Sequence, residues 1–389
     1  MTELADYLAE LITAQLDDRI PAPIPNNLTT IPTLVDIGRH HYLNVLLLKS
    51  LLQLELDQAW KEKIKQEVLS SVIKSATQKN ELKTIIDNFE KKRINNQPMK
   101  GCILKQVYGI VELREMSDID ILVEESSMGK VQKIMVELGY ELKYKEEQHD
   151  IYIKKPFMVV EIHRSLYNPR IDKLQFQYFG TFEKSRLIPG MSYTYEFSKE
   201  DFYIYMIAHM AKHFYETGCG IRNLVDIFVY LEKYKQILDR NYLEQELEKC
   251  GLKKFAHHME ELSYVWLQKL ESTAFLDDLF EYMLSCGVYG KDENGIWNQY
   301  AKEAIARSEH SRIKLKLWYY FPPIYYMKVY HPWLRKVPFL LPVAWGIRGI
   351  LGMIEKKGKY KRKLLKVADP QEIEKIQRIY KEMDFEFHA

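Results

Sequence analysis

The sequence predicts an α+β protein, in which a small mixed-sheet core is carried between N-terminal and C-terminal helical regions. Three observations lead there. Residues 1–95 repeat apolar side chains at helical spacing, residues 96–168 switch to short apolar runs of strand character, and residues 169–300 return to helical periodicity. A last region, 301–389, is aromatic, proline-bearing and basic.

Taken in order, Leu4, Leu8, Leu11, Ile12 and Leu16 share one helical face, and Pro21, Pro23 and Pro25 end that helix. Thr33 to about Leu56 and Asp57 to about Arg93 continue in the same style, with a break expected near Gln78. Asn95-Asn96-Gln97-Pro98 is a turn signal that opens the core. The core should then run as a short strand or turn at Met99, a helix from Gly101 to Tyr108, a strand at Ile119–Val123 and a helix at Met128–Leu138. Strands follow around Tyr140–Tyr144, Asp150–Lys154 and Phe157–His163. Downstream, Phe202–Phe214 and Ile221–Tyr234 are the clearest helices, and a polar helix begins at about Pro370.

Composition narrows the function classes. At 389 residues the chain can bury a substantial core. Lys+Arg 56 against Asp+Glu 54 is nearly balanced, which argues against a general nucleic-acid coat. Cys102, Cys219, Cys250 and Cys286 lie far apart with no C-x-x-C, so neither a zinc site nor a disulfide framework is expected, and the reducing cytoplasm fits. Met1 to Leu16 carries Glu3, Asp6 and Glu10 and lacks the basic start and long apolar run of a signal peptide.

The chemistry concentrates in Ser117-Asp118-Ile119-Asp120-Ile121-Leu122-Val123. On a strand, Asp118 and Asp120 project from one face while Ile119, Ile121 and Val123 face a core. Paired carboxylates repel unless a cation neutralises them, and Mg2+, which takes oxygen ligands, is the simplest such cation. Val159-Val160-Glu161-Ile162-His163 supplies a third acid, Glu161, on a second apolar strand. Three carboxylates on neighbouring strands suit one or two Mg2+ ions, or Mn2+, against a triphosphate.

These residues carry a resemblance. Lys100-Gly101, Leu104, Tyr108, Arg114 through Val123, Gly139-Tyr140 and Glu161-Ile162-His163 resemble an uncharacterised bacterial nucleotidyltransferase-like family of the DNA polymerase β-type nucleotidyltransferase superfamily. The superfamily pattern is Gly-Ser on a short helix, then Asp-x-Asp, then a third acid; here Lys100-Gly101 stands at the Gly-Ser position and Cys102 follows. His209 to His213, Arg222 to Asp226, and the stretch from Tyr320-Phe321-Pro322 to Trp345 are also similar to that family. The resemblance implies a fold and a reaction type more than a substrate.

The candidate residues follow. Asp118, Asp120 and Glu161 are the expected metal ligands and catalytic acids, and Lys100, Gly101, Arg114 and Ser117 the expected nucleotide-binding residues. Ser117 reads either as a phosphate ligand or as a local cap, and Arg114 either as a phosphate clamp or as the partner of a carboxylate. His163, His209, Arg222 and Asp226 are substrate contacts or supports; the bland readings are a packed histidine and an i,i+4 ion pair. His209 and His213 share helical spacing, but Met210 stands where a zinc protease has its glutamate. The expected reaction moves a nucleoside monophosphate from an NTP to a hydroxyl or phosphate acceptor on a small molecule, peptide or protein. Two rivals stand beside it. One is a metal-dependent glycosyltransferase using a nucleotide-sugar, which needs a βαβ unit before the motif. The other is a non-catalytic interaction protein that docks through residues 311–366. There an apolar run, Val337–Met353, precedes a basic cluster from Lys356 to Lys366, a pattern that also suits an anionic membrane surface.

Overall fold

In the computed structural model, the described residues are 1–25, 30–168, 172–180, 182–288, 290, 317, 320–354 and 370–383. Four helices come first: α1 (Glu3–Leu16), α2 (Ile31–His41), α3 (Asn44–Leu51) and α4 (Gln58–Lys91). Each local signal has a physical source. The Thr2 hydroxyl caps α1 by accepting from the Ala5 N–H, and the Asp57 carboxylate does the same for α4 from Trp60. The expected break at Gln78 is absent, and α4 runs unbroken for 34 residues. Gln78 is buried, and its side-chain amide donates to the Met116 carbonyl at 3.1 Å, so it fastens the helix to the chain just before the Asp-x-Asp motif.

The core is a five-stranded mixed sheet in the order β1-β2-β5-β4-β3, built from β1 (Asn96–Pro98), β2 (Ile119–Val123), β3 (Glu141–Lys145), β4 (His149–Lys154) and β5 (Met158–His163). Helix α5 (Gly101–Val107) follows β1, and α6 (Met128–Glu137) follows β2. The α+β expectation therefore holds. Within this sheet β2 and β5 run parallel, and β1–β2, β5–β4 and β4–β3 pair antiparallel. Ile119, Ile121 and Val123 of β2 and Met158, Val160 and Ile162 of β5 enter one apolar cluster with Ile85, Ile86 and Phe89 of α4 and Val131, Ile134 and Met135 of α6. This assigns the two faces of the sheet. Asp120, Leu122, Glu161 and His163 lie on the other one.

That second face meets a helical region: α7 (Lys173–Phe179), α8 (Lys199–Glu216), α9 (Arg222–Tyr234), α10 (Arg240–Lys249), α11 (Lys253–Leu267) and α12 (Ala274–Cys286), with a small hairpin of β6 (Ser185–Leu187) and β7 (Tyr195–Phe197). The hairpin is absent from the sequence-based expectation, its strands being only three residues each. A single larger apolar cluster joins α1, α3, α5 and α8–α12. Trp266 illustrates the join, its indole N–H donating to the Ala5 carbonyl at 2.8 Å.

Beyond α12, the described helices include Ile324–Tyr330, Leu341–Ile354 and Pro370–Met383. Phe339, Val343 and Ile350 are more than half exposed. The basic cluster from Lys356 to Lys366 lies outside the described residues. Among the described residues, no helix is long and apolar enough to cross a membrane.

Candidate functional site

The two acids placed on separate strands by sequence become neighbours in register. Asp120 of β2 is the partner of Glu161 on parallel β5. Asp118 stands immediately before β2, half-buried, with the Ser117 hydroxyl donating to its Oδ1 at 2.8 Å. All three line a cavity of about 280 Å³ whose far wall is α8 and the start of α9, with Tyr205, His209, His213 and Arg222 facing in.

Asp120 is only 2% exposed, so its charge must be satisfied within the protein. The Lys100 ammonium donates to Asp120 Oδ1 at 2.7 Å, and His163 Nε2 lies 2.8 Å from the same oxygen. Burial opposes ionisation of Asp120, but Lys100 and His163 outweigh it and hold the carboxyl well below its ordinary range. Glu161 is lowered by the same logic: burial pushes it up, and the hydrogen bond from His163 pulls it down further. Asp118 moves the other way, raised by burial and then by the Asp120 charge. Lys100 is raised despite its burial, because Asp120, Asp118 and Glu161 surround it.

The remaining candidates fall into distinct places. Lys100 adopts a left-handed φ of 47° at the turn into α5 and spends its ammonium on Asp120, not on an open phosphate position. Gly101 owes its identity to packing, since a Cβ there would sit 2.8 Å from Arg114 Nη1 and 3.0 Å from Met116 Cβ. Arg114, read as either a phosphate clamp or the partner of a carboxylate, is committed to Asp226: Nε reaches Oδ1 at 3.2 Å and Nη2 reaches Oδ2 at 2.9 Å, with both residues buried. The Tyr108 hydroxyl donates to the same carboxylate at 2.7 Å. The i,i+4 pair Arg222–Asp226 is accordingly long, at 4.0 Å. Arg222 Nε is buried without a hydrogen-bond partner, and burial together with the Arg114 charge brings its pKa down to about 10. Arg222 is thus a cation at the cavity wall whose carboxylate is already taken. His209 and His213 meet through their Nε2 atoms at 3.1 Å; burial and then Lys100 push both down, His213 to about 4.

Arg164 does not pair with Glu161. It reaches Asp150 and donates to the Glu146 and Glu147 carbonyls, leaving Glu161 to the site.

One residue escaped the sequence reading. His149 opens β4 and pairs across the antiparallel ladder with His163, so both imidazoles stand on Glu161's face. His149, Glu161 and His163 each offer a ligand atom within 4.8 Å of the others, a group able to hold a metal ion. The signal was available: a hairpin turning at Lys155-Pro156-Phe157 places 149 opposite 163. The expected strand began one residue too late.

The comparisons with known proteins fit this geometry. No curated protein and no solved structure matches the chain. The model of a family described as uncharacterised nucleotidyltransferase matches residues 28–268, a span that runs from before α2 to the end of α11 and holds every residue of the cavity named above. The chain belongs to the uncharacterised nucleotidyltransferase family.

Proposed function

We propose that this protein transfers a nucleoside monophosphate from an NTP to a hydroxyl or phosphate acceptor, with Asp118, Asp120 and Glu161 as its metal-binding acids. The observation that carries the reading is the in-register pair Asp120–Glu161, with Asp118 beside it, at the floor of a cavity walled by Arg222. The fit to a divalent cation is chemical. Three oxygen-donor carboxylates line one cavity with a single ammonium, and Asp118 is raised first by burial and then by the Asp120 charge beside it, which a bound cation would offset. Bound Mg2+ would supply charge neutralisation and Lewis-acid stabilisation of the departing pyrophosphate.

The chain's own residues do the rest. Asp120 and Glu161 hold fixed positions on adjacent strands, so their spacing is set by backbone hydrogen bonds and not by loop motion. Arg222, with a carboxylate already claimed by Arg114, is the side chain best placed to bind phosphate oxygens. Lys100, once Asp120 is neutralised, has its ammonium free to turn toward the same anion. His163 orients Asp120 and Glu161 through one ring nitrogen. A short helix, Asp-x-Asp and a third acid on a mixed sheet also support membership of the DNA polymerase β-type superfamily. The nucleotide-sugar reading is less well supported, because helices α1–α4, not a βαβ unit, precede the motif among the described residues.

The test is pyrophosphate release from each NTP with pooled hydroxyl and phosphate acceptors. Asp120→Asn should abolish it with an unchanged far-UV spectrum. Release at the wild-type rate in that variant would sink the reading.

A further inference from the structure

We propose that His149, Glu161 and His163 form a transition-metal site for a first-row divalent ion of the Zn2+ class, with Glu161 standing between this site and the carboxylates of Asp118 and Asp120. The proposal rests on strand geometry and holds whether or not the nucleotidyl-transfer reading does. His149 and His163 are direct partners across the β4–β5 ladder, and Glu161 lies two residues before His163 on the same face. The imidazole centroids are 4.9 Å apart. His163 Nε2 and His149 Nε2 lie 3.4 and 3.8 Å from one atom, Glu161 Oε2. In a tetrahedral site with metal–ligand bonds of about 2.0–2.1 Å, ligand atoms stand roughly 3.3 Å apart, so small side-chain rotations close both edges.

Donor chemistry then selects the ion. Two imidazoles and one carboxylate are what Zn2+ accepts, whereas Mg2+ demands oxygen ligands and keeps its water. Nitrogen donors also rank Zn2+ above Mn2+. The Glu146 carboxylate, 3.5 Å from His149 Nε2 and half exposed on the open side, is in reach as a fourth donor. The neighbouring charge favours a cation, since the Asp120 carboxylate lies 2.8 Å from His163 Nε2 and stands with Glu161 against one ammonium, that of Lys100. The competing arrangement is the plain hydrogen-bond network Asp120–His163–Glu161, which needs no ion and gives His149 no role.

The experiment uses the full chain without nucleotide, stripped of metal and dialysed separately against Zn2+, Mn2+ and Mg2+, with bound metal measured by elemental analysis. The expected result is one Zn2+ per chain, weaker Mn2+ binding, and Zn2+ affinity reduced at least about 10-fold in both His149→Ala and Glu161→Gln. His257→Ala removes an exposed histidine paired with Glu244 and should change nothing. Co2+ added to the unaltered chain gives a reading that needs no variant. Intense visible absorption, marking four- or five-coordinate cobalt, supports the site, and the faint spectrum of hexaaquo cobalt overturns it. Absence of bound Zn2+, or Zn2+ affinity unchanged in His149→Ala, also overturns it.

Discussion

Asp226→Asn offers a sharp test of how the cavity wall is held. The carboxylate takes two hydrogen bonds from Arg114 and one from Tyr108, and its side chain and that of Arg114 are 2% and 6% exposed. The substitution keeps the volume and deletes the charge. Arg114 is then a buried guanidinium without a counter-ion, Tyr108 faces an amide in place of an anion, and Arg222 loses the carboxylate 4.0 Å away. Stranding one member of a buried ion pair costs roughly 3–5 kcal/mol, a large part of the ~5–15 kcal/mol that stabilises a typical fold. The assay is urea unfolding followed by circular dichroism and tryptophan fluorescence. Lys83→Ala serves as the reference, because it cuts an exposed i,i+4 pair with Asp87 that should be worth at most about 0.5 kcal/mol. A loss in Asp226→Asn no larger than in Lys83→Ala would refute the reasoning. Replacing the pair together, as Arg114→Met with Asp226→Leu, should be less damaging than Asp226→Asn alone.

Three further outcomes are expected. His41 is buried, with Nε2 on the Leu284 carbonyl and Nδ1 accepting from the Ile221 N–H, so both ring nitrogens are used by the neutral form, and burial pushes its pKa down to about 4. The unfolded chain takes up that proton first, so stability should fall by up to about 3 kcal/mol as pH drops from 6.5 to 4; urea midpoints across this window should be flatter in His41→Asn, and equal slopes would contradict the assignment. Gly220→Ala places a Cβ 2.6 Å from His41 Nδ1 and 2.8 Å from the Gly287 carbonyl, costing about 1–3 kcal/mol, whereas Gly346→Ala in the helix Leu341–Ile354 meets nothing within 4 Å and should gain about 0.5–1 kcal/mol; thermal melting separates the two signs. The exposed Phe339, Val343 and Ile350, followed in sequence by the lysine-rich run, should carry the chain onto vesicles of anionic phospholipid, with binding lost when all three become serine and absent on neutral vesicles; equal sedimentation by the triple variant would exclude this surface.

Much of the fold was legible because its signals are local. β2 matches its expected bounds at both ends, since Ile119 to Val123 is a buried run ended by polar residues. The acids on β2 and β5 were legible for a related reason: a charge inside an apolar strand is costly and so needs a purpose. Pairings across long separations were not. Asp226 and Arg114 are far apart in the sequence, and helical spacing alone pointed to Arg222 as the partner of Asp226. Only the packing of α5 against α9 brings Tyr108 and Arg114 to that carboxylate. The unbroken α4 has the same origin, because a polar residue that suggests a break in isolation becomes a tertiary fastener when Met116 is beside it. His149 was missed because the expected strand began one residue late, which left it outside the element whose pairing sets it opposite His163.

The most direct measurement is calorimetric titration of the four NTPs in the presence and absence of Mg2+, on the wild type and on Asp120→Asn. The account predicts that one NTP binds in the micromolar range only with Mg2+, and that Asp120→Asn removes this binding while its circular dichroism stays unchanged. Failure of the wild type to bind any NTP, or binding that survives in Asp120→Asn, would contradict it.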